Sequence, residues 1–346
     1  MGSAQGRGST FAGDNGVESA TGQKDRMPAI VYHKYGPPDV LELRDIERPA
    51  VGDDEVLIRV RAASVNPYDW HFMRGEPYLA RIQMGLKPKT TRLGVDVAGT
   101  VETVGENVTQ FQPGDEVFGT CDGAFAEYAI GWESSLVLKP ANVTFEQAGA
   151  VGIAAFTAIQ GLRDWGQVQA GQKVLINGAA GGVGTFAVQL AKVWGAEVTG
   201  VCSTRNVGMV RSIGADHVVD YTRDDFTRDG QRYDLMLDMI GNHSLSRCRG
   251  VLTSEGTFVM LGGQNGRWIR PIDRTLKMLV LSPFVSQKLT LGIAVWSKED
   301  LLLMQRLMEA GQVTTVIDRT YPLSGVPDAI RYLEEGHARG KVVVTV

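Results

Sequence analysis

The sequence predicts an α/β protein of two parts, a partly open, β-barrel-like domain and a doubly wound parallel sheet. Three observations carry that expectation. Short alternating strands with Gly and Pro punctuation fill residues 29–139. The register changes near Thr144, and from there to Gly262 strands and helices alternate, as a parallel sheet with crossover helices requires. Within that stretch the run Lys173-Val-Leu-Ile-Asn-Gly-Ala-Ala-Gly-Gly-Val-Gly184 drives an apolar strand into a glycine-rich turn, and a helix to Trp194 leaves it.

The β part is read from segments such as 55–62, 97–104 and 125–130, with Pro113-Gly114-Asp115 setting a turn. Phe145 to Leu162 is Ala-rich and nearly apolar throughout, which predicts one buried helix. Strands follow at 173–177, 197–201, 217–219, 234–238 and 256–261, separated by helices near 183–194, 205–213 and 243–252. Residues 264–291 mix basic and apolar side chains and read as a loop plus a helix beside a cleft. Lys298 to Ala310 is a helix stopped by Gly311, Val326 to Glu335 a shorter one. The last strand, from Lys341, is free to return to the first β domain. The expected division is a disordered leader at 1–26, a β domain from 27–152 and 296–346, and a nucleotide-binding domain at 153–295. No internal repeat is visible.

Composition narrows the function. The net charge of −4 gives no global basic field, which argues against nucleic acid or an anionic membrane as partner. Cys121, Cys202 and Cys248 lie far apart, in no metal-binding or disulfide pattern, and three free thiols suit the cytoplasm. The polar leader has no apolar run, and no stretch reaches the roughly 20 apolar residues of a membrane span.

The glycine turn predicts a dinucleotide site. Small residues let the backbone approach a pyrophosphate, whose charge settles on unpaired N–H groups of Ala180, Gly181, Gly182 and Val183 at the helix start. An acidic residue at the end of the second strand would bond a ribose 2′-hydroxyl and select NAD. The chain has Ser203-Thr204-Arg205 there, two hydroxyls and a guanidinium that suit a 2′-phosphate, hence NADP. Helix capping by Ser203 and Thr204 is compatible with that role. Tyr221, after the third strand, is placed to line the adenosine pocket.

These segments resemble the medium-chain dehydrogenase/reductase superfamily, in its zinc-independent quinone oxidoreductase branch. The resemblance rests on Val65-Asn-Pro-Tyr-Asp-Trp70, Gly94-Val-Asp-Val-Ala-Gly99, Pro113-Gly-Asp-Glu-Val117, Ala179-Ala-Gly-Gly-Val-Gly184, Ala187-Val-Gln-Leu-Ala-Lys192, Gly214-Ala-Asp216 and Gly340-Lys-Val-Val343. It covers the chain from about Met27 to Val346 and implies a GroES-like domain joined to a Rossmann domain. Zinc-dependent relatives carry Cys at the position of Asn66, His-Glu at Val95-Asp96 and a third ligand near Ile153. The substitutions here, and the lack of a four-cysteine lobe, imply no catalytic zinc.

What the resemblance implies is a zinc-independent, NADPH-dependent oxidoreductase. It would transfer hydride to a quinone or to the β-carbon of an enone or enal, as a homodimer. Two alternatives stay open: an NADP-dependent alcohol dehydrogenase or carbonyl reductase, and a non-catalytic NADPH-binding protein. Asn66 would touch the substrate oxygen or the nicotinamide ribose, or else form a turn ahead of Pro67. Tyr68 and His71 are the two candidate proton donors, with a surface position the other reading for His71. Asp69 and Asp96 either order the site by hydrogen bonds or pair with Arg74, Arg92 or backbone. Transferred by position, Thr157 lies on the nicotinamide side and Gly241 at the adenosine and ribose edge. Leu261 and Gly262 fix the carboxamide by main chain, and Lys341 reaches the cofactor or simply begins a solvated strand. The segment from Gln264 to Phe284, with Arg267, Trp268, Arg270 and Arg274, reads as a lid, a dimer contact or a membrane-surface patch.

Overall fold

A computed structural model describes residues 26–76, 81, 85, 87–262 and 272–346. Residues 1–25, and with them the predicted leader, lie outside the described residues, as do Arg267, Trp268 and Arg270. The chain opens with β1 (Arg26–Val31) and β2 (Glu42–Glu47), an antiparallel pair. β3 (Glu55–Val65), α1 (Pro67–Arg74), β4 (Asp96–Val104), β5 (Glu116–Asp122) and β6 (Tyr128–Leu138) follow. β3 also pairs directly with β6, so the sheet curls back on itself into the partly open barrel.

The predicted helix at 145–162 is broken. It consists of α2 (Phe145–Ala148), α3 (Gly152–Gln160) and a π-helical turn at Gly161–Trp165. The near-continuous apolar run hid the break; only α3 is buried along most of its length, while Arg163 and Asp164 of the π-helical turn are exposed. Gly149 marks it: a Cβ there would stand 2.7 Å from the Ala62 carbonyl oxygen, so the chain turns where it meets β3.

β7 (Lys173–Asn177), α4 (Gly182–Val193), β8 (Glu197–Cys202), α5 (Val207–Ser212), β9 (His217–Asp220), β10 (Tyr233–Asp238), α6 (Leu245–Gly250) and β11 (Leu252–Met260) form the alternating part. Next come α7 (Ile272–Leu281) and β12 (Lys288–Leu291), a strand that pairs parallel with β11. The reading of 264–291 as loop plus helix missed β12, a strand only four residues long. α8 (Lys298–Glu309), β13 (Ile317–Pro322), α9 (Val326–Glu334) and β14 (Lys341–Thr345) complete the chain. Ser297 caps α8 by accepting from the Asp300 N–H, and Gly311 at φ 68° ends the turn beyond it.

The second sheet has the order β12-β11-β10-β7-β8-β9, with every recorded pairing parallel. From β7 the chain winds outward to β8 and β9, then returns to β10 on the other side. The switch point between β7 and β10 is where such sheets open a crevice at their carboxyl ends. β14 joins the first sheet antiparallel to β3, as expected for the returning last strand. One hydrophobic core runs from Phe118 and Val137 of the barrel through Phe156 and Ile159 of α3 to Val174 and Leu237 of the parallel sheet. The two sheets are thereby held against each other, and the bridge between Gly181 and Gly340 sets the start of β14 against the switch point, where a cleft is expected.

Candidate active site

The phosphate end of the cleft is built mostly from main chain. Gly178, at φ 97°, turns the chain out of β7, and Gly181 starts α4 with no side-chain cap. A Cβ on Gly184 would stand 2.1 Å from the Gly178 carbonyl oxygen, so only glycine brings helix and strand this close. The Gly340 N–H donates to the Ala180 carbonyl at 2.8 Å, and a Cβ on Gly182 would lie 3.0 Å from Lys341 Cδ. Ala180, Gly181, Gly182 and Val183 therefore sit together, roofed by the start of β14. The Gly181 N–H is not unpaired as expected: the turn closes on itself by donating it to the Gly178 carbonyl at 3.0 Å. Uncapped N–H groups on a twelve-residue helix, beside glycines with no room for a side chain, fit a dinucleotide pyrophosphate.

The next strand end is more varied than its sequence suggests. Ser203 accepts from Asn206 Nδ2 at 3.2 Å. Thr204 is occupied, its hydroxyl 2.6 Å from Asp220 Oδ2 and 2.8 Å from the Thr222 hydroxyl. The folded chain thus brings a carboxylate, from the end of β9, beside residues whose local sequence contains none. These hydroxyls hold Asp220 below the usual carboxylate range, hence ionised. Arg205 donates to the His337 carbonyl across the cleft at 2.5 Å, and Tyr221 is half-exposed.

Asp238, which the sequence reading passed over, organises the crevice at the end of β10. It is fully buried. Its Oδ1 accepts from Asn177 Nδ2 at 2.9 Å and from the N–H groups of Ile240 and Gly241, while Oδ2 accepts from Arg274 at 2.8 Å. Gly241 is in the left-handed region at φ 68°, and Leu261 donates its N–H to the Asp238 carbonyl. A Cβ on Gly262 would meet the Met239 carbonyl oxygen at 2.5 Å. A strand-terminal Asp ahead of a glycine was the available signal. Arg274 of the 264–284 segment is thereby fixed to this edge.

The opposite end of the cleft is a knot of buried side chains. Asn66 stands at the N-cap position of α1 without a side-chain cap bond: the Asp69 N–H donates to its main-chain carbonyl at 3.0 Å, Pro67 lies in the first turn, and the Asp69 carboxylate accepts the Asn66 N–H at 2.8 Å. Asp69 also accepts from the Gly94 N–H at 3.0 Å. Burial pushes its carboxyl up to about 7 against these two bonds. Asp96, also fully buried, accepts at Oδ2 from Ser64 (2.7 Å), Asn66 Nδ2 (2.9 Å) and Lys341 Nζ (3.3 Å), and at Oδ1 from the Ile153 N–H (2.9 Å). Lys341 Nζ donates to Asn66 Oδ1 at 2.5 Å. Lys341 is 3% exposed, which excludes a solvated strand start. Of the pairings expected for the two acids, Asp69 takes backbone and Asp96 takes a lysine, while Arg74 pairs with Glu334.

Around this knot, Thr157 spends its hydroxyl on the Ile153 carbonyl at 2.8 Å. Tyr68 is 39% exposed and tilted against Phe72, and burial raises its phenol. His71 stacks on Trp70, and its Nδ1 lies 3.1 Å from the Glu76 carbonyl oxygen. A carbonyl only accepts, so Nδ1 carries the proton and Nε2 is left as a lone pair; burial lowers the imidazole further.

A returning glycine turn at the switch point, facing a buried polar knot on a second β domain, defines a two-domain dinucleotide-dependent oxidoreductase. Comparison with known proteins makes this specific. Residues 52–141 match the alcohol dehydrogenase GroES-like domain and residues 213–344 the zinc-binding dehydrogenase domain. The chain is 32% identical to human quinone oxidoreductase, over 94% of this chain and 99% of that protein. It is 36% identical to the chloroplastic NADPH-dependent alkenal/one oxidoreductase of Arabidopsis thaliana, over 92% of this chain and 79% of that one. The solved quinone oxidoreductase of Coxiella burnetii superposes with a TM-score of 0.83 at 29% identity, over 93% and 99% of the two chains. The chain belongs to the medium-chain dehydrogenase/reductase superfamily, in the quinone and enone oxidoreductase branch, and is an oxidoreductase with a nicotinamide cofactor.

Proposed function

We propose that the protein is a metal-free, NADPH-dependent reductase of quinones or α,β-unsaturated carbonyls. The observation that carries this reading is the Lys341–Asp96–Asn66 knot. At the positions where zinc-dependent relatives bind metal, a buried ammonium already supplies the positive charge beside Asp96. Val95 and Ile153 offer no ligand atoms, and among the described residues no three His, Cys, Asp or Glu side chains converge as a metal site.

The bound nicotinamide supplies the hydride. The uncapped start of α4 and the β14 roof hold the pyrophosphate. Selection of NADP rests on Ser203 and Arg205. Ser203 accepts from Asn206 and keeps its own proton for a phosphate oxygen, and Arg205 has donors to spare beyond the bond to His337. Thr204 serves instead to tie down Asp220. When hydride reaches the β-carbon, charge builds on the carbonyl oxygen and a proton must arrive. Tyr68 fits the donor role, since burial keeps its phenol protonated at neutral pH. His71 does not, because its only N–H is spent on Glu76.

A homodimer is part of this reading. β12 ends the parallel sheet, and around it Leu276, Leu279, Val280, Phe284, Ile293, Val295 and Trp296 are all more than half exposed. An open strand edge with such a patch suits a second copy. Leu279→Glu/Val280→Glu should convert a dimer to monomer in sedimentation; an unmodified protein that already runs as a monomer contradicts it. No helix among the described residues is long and apolar enough to cross a membrane. The three buried free thiols are what favour the cytoplasm.

The test is a panel of quinones, 2-enones, saturated aldehydes and simple alcohols, followed by NADPH absorbance with and without EDTA. Chelator-insensitive turnover of quinones or enones supports the reading. Chelator-sensitive alcohol oxidation favours the dehydrogenase alternative, and tight NADPH binding without turnover favours a binding protein.

A further inference from the structure

We propose that Asp96, with Ser64 and Lys341, is a positioning residue that fixes the Asn66 amide as a hydrogen-bond acceptor for a ribose hydroxyl of the nicotinamide cofactor. The inference rests on the reductase reading and assigns Asn66 to cofactor binding instead of substrate activation.

The orientation of the amide is dictated by charge. Lys341 Nζ lies 2.5 Å from Asn66 Oδ1, and Asp96 Oδ2 lies 2.9 Å from Asn66 Nδ2. Rotating the amide would set its NH2 against an ammonium and its oxygen against a carboxylate, two repulsions in a site where Asn66 is 2% exposed. The donor count follows. Both N–H groups of Asn66 are used, one on Asp96 and one on the Ser64 carbonyl at 3.3 Å. Its Oδ1 has taken one bond from Lys341 and keeps one lone pair. Asn66 therefore has an acceptor to offer and no donor.

A carbonyl or enolate oxygen needs a donor, so Asn66 cannot stabilise it. A hydroxyl needs what Asn66 has. The place agrees with the chemistry: the Lys341 stem lies against Gly182 of the phosphate turn while its ammonium holds Asn66, so the free lone pair belongs to the part of the site next to the pyrophosphate. In a nicotinamide dinucleotide the group next to the pyrophosphate is a ribose.

Asp96 sets this arrangement because it accepts on both oxygens. Ser64, Asn66 and Lys341 use Oδ2, and the Ile153 N–H uses Oδ1. Asparagine has a single oxygen and cannot serve both sides.

The experiment measures NADPH affinity by fluorescence titration, and kcat at saturating NADPH, for Asn66→Leu, Asp96→Asn and the double variant. Each single variant should raise the Kd for NADPH about tenfold, as expected for one hydrogen bond to a ligand hydroxyl. The double variant should be no worse than the weaker single one, because both remove the same acceptor. Losses that multiply to about a hundredfold overturn the proposal, since they make Asp96 a separate structural support. An unchanged Kd with kcat reduced by about 10²–10³ also overturns it, by making Asn66 a donor to the reacting oxygen. Should Asp96→Asn fail to fold, the Asn66 side-chain NH2 resonances of the unmodified protein give a second reading. They should exchange slowly and stay in place when an unsaturated ketone joins the NADPH complex, and a shift on adding the ketone contradicts the assignment. Failure of the unmodified protein to bind NADPH refutes the reductase reading itself, whereas binding with multiplying losses refutes the positioning alone.

Discussion

The two ends of the cleft are made of different material. The phosphate end is almost all main chain, with glycines that leave no room for side chains and a helix start without a cap. The far end is almost all side chain: Ser64, Asn66, Asp69, Asp96 and Lys341 are each at most 3% exposed and bond to one another. A pyrophosphate is the same in every dinucleotide, so a fixed backbone cradle suffices for it. Presenting a single lone pair to a ribose hydroxyl, as proposed above, requires particular atoms, and those are bought with buried charge. Lys341 is where the two materials meet, its stem on Gly182 and its ammonium on Asn66 and Asp96.

The sharpest way to break this contrast is to remove the ammonium. Lys341→Met keeps the stem but leaves Asp96 buried without its partner, which should cost about 3–5 kcal/mol in urea unfolding. Adding Asp96→Asn should return much of that loss. A cost below about 1 kcal/mol would mean that the ammonium is not neutralising Asp96.

At the phosphate end the expected effects are smaller and selective. Arg205→Ala or Ser203→Ala should weaken NADPH about tenfold while barely touching NADH, as loss of one charge-assisted bond does. Thr204→Ala should affect both cofactors alike, because its hydroxyl holds Asp220. Equal loss of both cofactors in Arg205→Ala refutes its place at the 2′-phosphate.

A pH slope probes the far end independently of any ligand. Asp69 is pushed up to about 7 in the folded protein, above the about 3.9 of an unfolded chain. The folded state binds the proton more tightly, so this contribution to stability is complete below about pH 4 and is lost as pH rises through about 7. Asp69→Asn should flatten the dependence of the unfolding free energy between pH 5 and pH 8. An unchanged slope would place the titration elsewhere.

Legibility in the sequence followed the same divide. The glycine turn, the switch-point sheet and the returning β14 were readable because contiguous residues encode them. The polar knot gathers Ser64, Asn66, Asp96 and Lys341 from the ends of three strands and a helix cap, so no local spacing announces it. Asp220 beside Thr204 was missed for the same reason, as partners 16 residues apart meet only when β8 and β9 pair. The break at Gly149 was hidden because residues 145–162 are apolar nearly throughout, and β12 because four residues are too few to set a period.

The central claim is that hydride moves to carbon without a metal, and deuterium tracing tests it most directly. The chelator-treated protein would be given NADPH carrying deuterium on both C4 positions, together with a 2-enone, and the product analysed by mass spectrometry. One deuterium at the β-carbon of a saturated ketone is the predicted result. Deuterium at the carbonyl carbon of an unsaturated alcohol, in a reaction abolished by the chelator, would contradict it.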